Sequence, residues 1–290
     1  MYNLRYHIAS LVAVFLAMAI GLLLGTIVVE RGTFDRQRDS IVESLQDEFR
    51  TLADENDVLR TDNEHLDAFV GDLVPALTGD VLAGKRFLVI ASTGRTDGLG
   101  AVTQAIGQAG GEVIVATESE AGMALADPAV SQVATPVVGD LTGDDLVSAV
   151  SKTLAAEWAT PGVDRPLTDA LSEAGAIRFD PALREDVFVD GVIAMAAWDG
   201  VPDDLALRIA EELSRVGRIS IGAEAGTNPT GVAAASAAQG LSAVDNASSA
   251  AGRLSVVWLL AGRAKGYFGT GDAADAPWPT METKTGSPKD

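Results

Sequence analysis

The chain has 290 residues, 41 acidic against 21 basic, and a formal net charge of −20. That excess excludes a basic surface for nucleic acid or anionic lipid, so no nucleic-acid partner is expected. Cysteine is absent, which excludes disulfides, thiolate metal sites and cysteine nucleophiles. An apolar fraction of 47 % suits one packed domain of ordinary size, and the length leaves room for an anchor and a stalk.

Ile8 to Val29 carries no charged residue. As a helix rising about 1.5 Å per residue it reaches about 33 Å, enough to cross the hydrocarbon core of a bilayer. A cleaved signal peptide is the rival reading, with Arg5 in a short charged region and Ala17-Met18-Ala19 as a cleavage-like site. The apolar run continues past Ala19 through Leu22, Leu23, Leu24, Ile27, Val28 and Val29, which a cleaved peptide does not need. Residues 1–30 therefore read as an uncleaved signal-anchor. Charge leaves the orientation open: Arg5 precedes the span, Arg31, Arg36 and Arg38 follow it, and long acidic domains translocate largely regardless of such counts. On one face Ala13, Ala17, Gly21 and Gly25 recur at i, i+4, a small-residue stripe of the kind that lets two helices approach closely in lipid.

Leu45, Leu52, Leu59, Leu66 and Leu73 then fall every seven residues. With these at d, the a positions are Val42, Phe49, Asn56, Asn63 and Val70. A buried Asn facing its twin is satisfied only in register, so Asn56 and Asn63 select a parallel, low-order oligomer at some cost in stability. Glu55 at g reaches Arg60 at the next e of a partner, whereas Asp62 and Asp67 at the equivalent positions repel. The spacing predicts a parallel coiled coil over residues 34–74, ended by Pro75. The competing reading is an amphipathic helix lying on its own domain. It explains the leucines but not the paired asparagines.

Residues 80–271 read as an α/β domain. Lys85–Ala91 is a strand, Ala101–Ala109 a helix closed by Gly110-Gly111, and Glu112–Thr117 a second strand. This βαβ unit predicts a parallel sheet. Helices follow at Asp140–Ala159 and Pro166–Ala174, then a strand at Val187–Ala197, a helix at Asp203–Val216, a strand at Arg218–Ala223 and a last helix at Gly252–Ala264. The alternation predicts a Rossmann-like or flavodoxin-like three-layer sandwich, with residues 118–186 as a helical insertion at one edge. Residues 272–290, rich in Pro, Thr, Lys and Asp, read as a disordered tail.

Chemistry is sparse. The loop Ser92–Gly100 joins the first strand to the first helix, where such folds cradle phosphates on backbone N–H groups. Gly94, Arg95, Gly98 and Gly100 are the ligand-binding candidates there. Their spacing matches neither G-x-G-x-x-G nor a Walker loop, so a plain Gly-rich turn stands beside that reading. The two histidines, His7 and His65, lie beside the span and on the stalk surface, and the five methionines are scattered. Neither set forms a triad, an imidazole site or a thioether cluster, so neither a catalytic residue nor a metal site is assigned. Paired acids such as Asp144-Asp145 and Asp203-Asp204 sit at helix starts, where capping explains them. Nothing assembles a nucleophile, base and oxyanion hole, and no enzymatic activity is expected.

Two stretches carry a resemblance. Arg5-Tyr6-His7-Ile8-Ala9-Ser10-Leu11 through Gly21, closing with Leu24-Gly25, is similar to the opening of the actinobacterial copper transporter family typified by the mycobacterial copper transport protein B (MctB). The segments Ser242-Ala243-Val244-Asp245-Asn246, Gly252-Arg253 and Gly266-Tyr267-Phe268-Gly269-Thr270-Gly271 resemble that family's S-x-V-D-N and G-x-x-G-x-G motifs. Ser242, Val244, Asp245, Asn246, Gly269 and Gly271 are the motif positions. The order of anchor, coiled coil, βαβ start and C-terminal motif matches too. The resemblance implies a single-pass protein of the bacterial membrane with its domain outside the cytoplasm, linked to copper efflux or homeostasis, with copper as the only implied metal and no catalytic residue carried over. One apolar helix makes no pore alone, so transport falls to an oligomer or to envelope partners.

Two functions compete. One is copper homeostasis within a homodimer or higher assembly, associated through Ala17, Gly21, Gly25, Leu45, Leu52, Asn56, Leu59, Asn63 and Leu66. The other is a structural or interaction scaffold of the cell envelope, of division or wall-assembly type, without transport. A small-ligand binder using the Gly94–Gly100 loop is a third reading.

Overall fold

The computed structural model describes residues 4–94, 96–119, 125, 128–184, 188–195 and 205–280, with backbone only at 4, 27–39 and 129. The chain divides into two compact units, Met1–His65 and Leu66–Asp290.

The first unit is helical. Helix α1, Leu4–Thr78, is 75 residues long, and its N-terminal part holds one stretch long and apolar enough to cross a membrane, Arg5–Thr26, with a mean hydropathy of 2.6. None of that stretch is buried. Thr26 donates its hydroxyl to the carbonyl of Leu22 at 3.1 Å, a back-bond that satisfies a polar side chain inside an apolar helix. The heptad side chains Val42, Leu45, Phe49, Leu52 and Leu59 are all exposed.

The second unit begins with the last turns of α1. The predicted stop at Pro75 is passed: Pro75 lies inside the helix, which runs on to Thr78. A proline here removes one backbone donor and crowds the carbonyl four residues back, a cost of about 3 kcal/mol in a helix interior. Tertiary burial offsets it, because Val74 and Thr78 are each only 1 % exposed. Thr78 returns its hydroxyl to the Val74 carbonyl at 2.8 Å.

Strand β1 (Arg86–Ser92), helix α2 (Leu99–Gln108) and strand β2 (Glu112–Glu118) form the expected βαβ unit, with β1 and β2 parallel and Arg86 opposite Glu112. Three helices follow: α3 (Pro128–Val138), α4 (Gly143–Ala159) and α5 (Pro166–Glu173). The chain returns through β3 (Ile177–Asp180), β4 (Gly191–Ala194), α6 (Leu205–Arg215) and β5 (Ile219–Ala223). It finishes with α7 (Val232–Ala238), β6 (Ser242–Val244), α8 (Ala250–Leu260) and β7 (Tyr267–Phe268). The seven strands form one sheet in the order β3-β2-β1-β4-β5-β6-β7. All neighbours are parallel except β3, which runs antiparallel to β2. The ends of the predicted strand Val187–Ala197, and the start of the predicted helix Asp203–Val216, lie outside the described residues.

Strand side chains alternate between faces, and the sheet is covered on both. Leu88 and Ile90 of β1 join Ile114, Val192 and the inner faces of α3 to α6 in one core. Phe87 and Val89 join Ile193, Ile221, Val244, Val74 of α1, α2 and α8 in the other. This double burial is why β1 reads as a continuous apolar run rather than an alternating one. The helical segment between β2 and β3 is held by a buried polar knot. The Glu157 carboxylate accepts from the backbone N–H groups of Leu167 (3.0 Å) and Thr168 (2.9 Å) at the start of α5, and Trp158 donates its indole N–H to Thr168 Oγ1 at 2.9 Å.

Candidate functional site

The motif residues of the C-terminal third converge at the carboxyl ends of β6 and β7. Asp245 directly follows β6 and is fully buried. Its carboxylate is encircled by donors. Oδ2 accepts from the Tyr267 phenol at 2.8 Å and from Gly271 N at 3.0 Å, while Oδ1 accepts from Thr270 N at 2.7 Å and, more weakly, from the Thr227 hydroxyl at 3.4 Å. A carboxylate has about four lone-pair sites, and all are filled by protein donors. The Thr227 and Thr270 hydroxyls also meet each other at 2.8 Å. Burial above all, then the bond to Asp245, then the negative charges of Asp245 and Glu224, pushes the Tyr267 phenol well above its ordinary value. Tyr267 therefore stays a donor across the physiological range.

The glycines of the motif are there because this carboxylate lies against them. A Cβ on Gly269, which has φ +150°, would stand 2.0 Å from Asp245 Oδ1, and one on Gly271 would stand 2.7 Å from Oδ2. Asn246 sits at φ +53°, a left-handed conformation that Asn tolerates better than most residues. Its carbonyl accepts from Ser249 N at 3.0 Å. Ser249 caps α8 by accepting from Gly252 N at 3.0 Å, and a Cβ on Gly252 would come within 2.3 Å of the Asn246 carbonyl oxygen. Ser242, at the other end of β6, accepts from Gly266 N at 3.2 Å. Ser242, Val244, Asp245, Asn246, Gly269 and Gly271 thus form one clasp joining β6 to β7 and to α8.

The chain stays bonded to the sheet beyond Gly271, where composition places the start of the tail. Asp275 accepts from Tyr267 N at 2.8 Å, Gly269 N donates to the Ala276 carbonyl at 3.0 Å, and Phe268 bridges Ala276. Composition cannot register an acid that caps a strand. Residues 281–290 of the predicted tail lie outside the described residues.

The loop after β1 is placed differently from the clasp. Gly94 has φ +80° and Gly98, the N-cap of α2, has φ +76°. Gly98 is pressed between the loops after β5 and β6: a Cβ there would lie 2.9 Å from Ala225 Cβ and 3.0 Å from Ser248 Oγ. Gly94 and Gly100 face open space. Arg95 lies outside the described residues. In dinucleotide-binding folds an acid at the end of the second strand reads the ribose. Glu118 stands at that place and is fully buried, so its side chain presents nothing to a solute. An open groove of about 670 Å3 lies nearby, lined by Thr93, Thr117, Ser119, Ser172 and Arg178 among others. Its lining holds no imidazole, thiol or thioether, the donors copper selects.

The self-association candidates all lie along α1. A Cβ on Gly21 or Gly25 would meet nothing within 4 Å, and Leu45, Leu52, Leu59 and Leu66 are exposed. Asp67, repulsive as an e position of a coil, is engaged within its own chain, where its carboxylate accepts from Ala250 N, the first N–H of α8, at 2.7 Å. Among the described residues there is no group of three or more His, Cys, Asp or Glu placed to hold a metal ion. Met195 packs against the core beside β1 and β5, and Met18 is exposed on the apolar span.

Sequence reasoning finds the motif but not the way it closes. Tyr267, Thr227 and Thr270 escape it, because sequence spacing alone does not say which side chain the Gly-rich turn wraps. The pairing of one buried-type Asp with a Tyr-x-Gly-Thr-Gly turn is the signal that could have found them.

Comparison with known proteins places the chain. A family described as "Copper transport outer membrane protein, MctB" matches residues 1–279. The protein named "Copper transporter MctB" of Mycobacterium tuberculosis is 30 % identical over 94 % of this chain and 98 % of its own length, and so is that of Mycobacterium bovis. The Mycobacterium leprae protein of the same name is 28 % identical over the same shares.

Proposed function

The chain belongs to the MctB copper transport family, and on that premise we propose that it is a single-pass, membrane-anchored envelope protein of copper efflux and homeostasis that works as part of an oligomeric assembly. The observation that carries this reading is the extent of the match, residues 1–279, which takes in the apolar helix, the heptad segment, the sheet and the Asp245 clasp together. The relatives, matched over nearly their whole length, carry "copper transporter" in their names.

In this reading residues 1–30 are an uncleaved signal-anchor, residues 34–74 a parallel coiled coil, and residues 80–271 an extracytoplasmic Rossmann-like domain. The order β3-β2-β1-β4-β5-β6, with helices on both faces, supports the Rossmann-like reading of that domain. The exposed leucines from Leu45 to Leu59, with Asn56 and Asn63 at a, support a parallel homodimer. Copper is the cargo rather than a resident cofactor. The Asp245 carboxylate is saturated by four donors, so the clasp shapes the domain and is not offered as a copper ligand. The protein performs no catalysis of its own, and one apolar helix spans the membrane without making a pore.

The test is a deletion strain assayed for copper sensitivity and cellular copper, complemented by the full chain and by a chain lacking residues 1–30. Copper hypersensitivity rescued only by the anchored form is expected. Normal copper content, together with septal localisation and a cell-shape defect, points instead to the envelope-scaffold reading. The saturated clasp, and a groove lined without imidazole, thiol or thioether, are what favour that second reading.

A further inference from the structure

The last turns of α1 divide their apolar arc between two neighbours. Val70 and Val74 pack into the core beneath α8, and Asp67 caps that helix. Leu66, Phe69, Leu73 and Leu77 follow one another at helical spacing on the adjoining face, and they are 62, 61, 42 and 39 % exposed. Four large apolar side chains, with no charge among them, are left open beside the half-buried Val70 and the buried Val74. In heptad terms Leu66 and Leu73 are d positions, Phe69 is g, and Leu77, past Pro75, is a. The domain has taken the e positions Asp67 and Val74 and the a position Val70, leaving d and g free from Leu66 to Leu73.

We propose that this row is the membrane-distal end of the homodimer interface, and that the seam between two parallel copies moves there from a/d to d/g. The inference rests on the parallel self-association proposed above. The occupant is a second copy of this chain. Leu66 and Leu73 prolong the row of Leu45, Leu52 and Leu59 by the same seven-residue step, Asn56 and Asn63 are satisfied only by their own counterparts, and Glu55 at g meets Arg60 at the e position of a second copy with opposite charge. A strict a/d seam at this level has to displace Val70 from its own core. A d/g seam leaves each domain on the e side of its own helix, and Phe69, a surface residue under the heptad rule, becomes a core residue of the dimer.

The chain has no cysteine, so single cysteines can be placed in the full-length protein in membranes and treated with a short bifunctional thiol reagent. Leu52→Cys reports the upstream coil, and Leu66→Cys, Phe69→Cys, Val70→Cys and Leu73→Cys scan the row. Cross-linking of Leu52→Cys, Leu66→Cys, Phe69→Cys and Leu73→Cys to dimer, with Val70→Cys at least fivefold slower, is expected. Fast reaction at Val70→Cys with Phe69→Cys silent overturns the shift while the coil stands. Reaction at Leu52→Cys with the whole row silent also overturns it and assigns the row to a different partner. Silence at every position including Leu52→Cys removes the self-association reading itself.

Discussion

The Tyr267 phenol, on the short last strand, donates to the fully buried carboxylate of Asp245 at 2.8 Å. The bond ties β7 to the end of β6, and the backbone N–H groups of Thr270 and Gly271 close over the same carboxylate. Tyr267→Phe removes one donor and leaves one lone pair of a buried charge unmet. Such a change costs about 1–3 kcal/mol. Urea unfolding followed by tryptophan fluorescence should show the midpoint fall without a change of slope.

The same bond sets an alkaline limit. The Tyr267 phenol is raised above its ordinary value by burial first and then by Asp245. The folded state therefore keeps a proton that the unfolded chain releases above about pH 10. The contribution of this group is complete below that pH and is lost as the pH climbs beyond it. Stability measured between pH 8 and 11 should fall for the wild type, and the alkaline limb should flatten in Tyr267→Phe. An unchanged limb would remove Tyr267 as its source.

Gly269 is held by two independent constraints. At φ +150° an L side chain is strained, and the Cβ would lie 2.0 Å from Asp245 Oδ1. Gly269→Ala should cost more than about 3 kcal/mol, since strain and the displaced carboxylate combine. Gly94→Ala is the matched control: φ is +80° but nothing lies within 4 Å, so only the left-handed backbone cost of about 1–2 kcal/mol applies. Similar costs for the two variants, read from thermal unfolding, would mean the clasp tolerates being opened.

How much of the fold is legible in the sequence follows from which interactions are local. The run Phe87–Ala91 and the Gly110-Gly111 stop announce the βαβ unit, because a doubly buried strand and a helix end both leave composition signals. Strands β3, β6 and β7 give no such signal. They have 4, 3 and 2 residues, and partners, rather than propensity, make them strands. Pro75 reads as a stop because its cost is local, whereas the burial of Val74 and Thr78 that carries the helix past it comes from residues far away in sequence. The clasp lies half in view. Its glycines and Asp245 stand out as a motif, yet the hydrogen bonds joining them span 22 to 26 positions, which no local periodicity encodes.

Asn56 and Asn63 give a prediction on the proposed coil. Replacing both by Val removes the polar pairs that reward parallel, in-register pairing and adds apolar seam. Light scattering of the full chain in detergent should show the wild type as a single dimer and Asn56→Val/Asn63→Val as a mixture including higher oligomers. The double variant should also melt later. A monomeric wild type would contradict the coiled coil.

Asp67 separates the two roles of α1. As an e residue of a coil it would act on a second copy, but its carboxylate meets Ala250 N at 2.7 Å within the same chain. There it accepts the first N–H of α8, a group that an α-helix cannot satisfy internally. Beside it, a Cβ on Gly71 would stand 2.9 Å from Arg253 Nη2, so α1 and α8 are in close contact around this cap. Asp67→Ala should cost about 1 kcal/mol of domain stability, the usual loss for a helix cap. Asp67→Asn, which keeps an acceptor oxygen, should recover most of it. Neither variant should alter the dimer fraction, because Asp67 faces its own domain. A change in oligomeric state without a change in unfolding midpoint would return Asp67 to the coil surface.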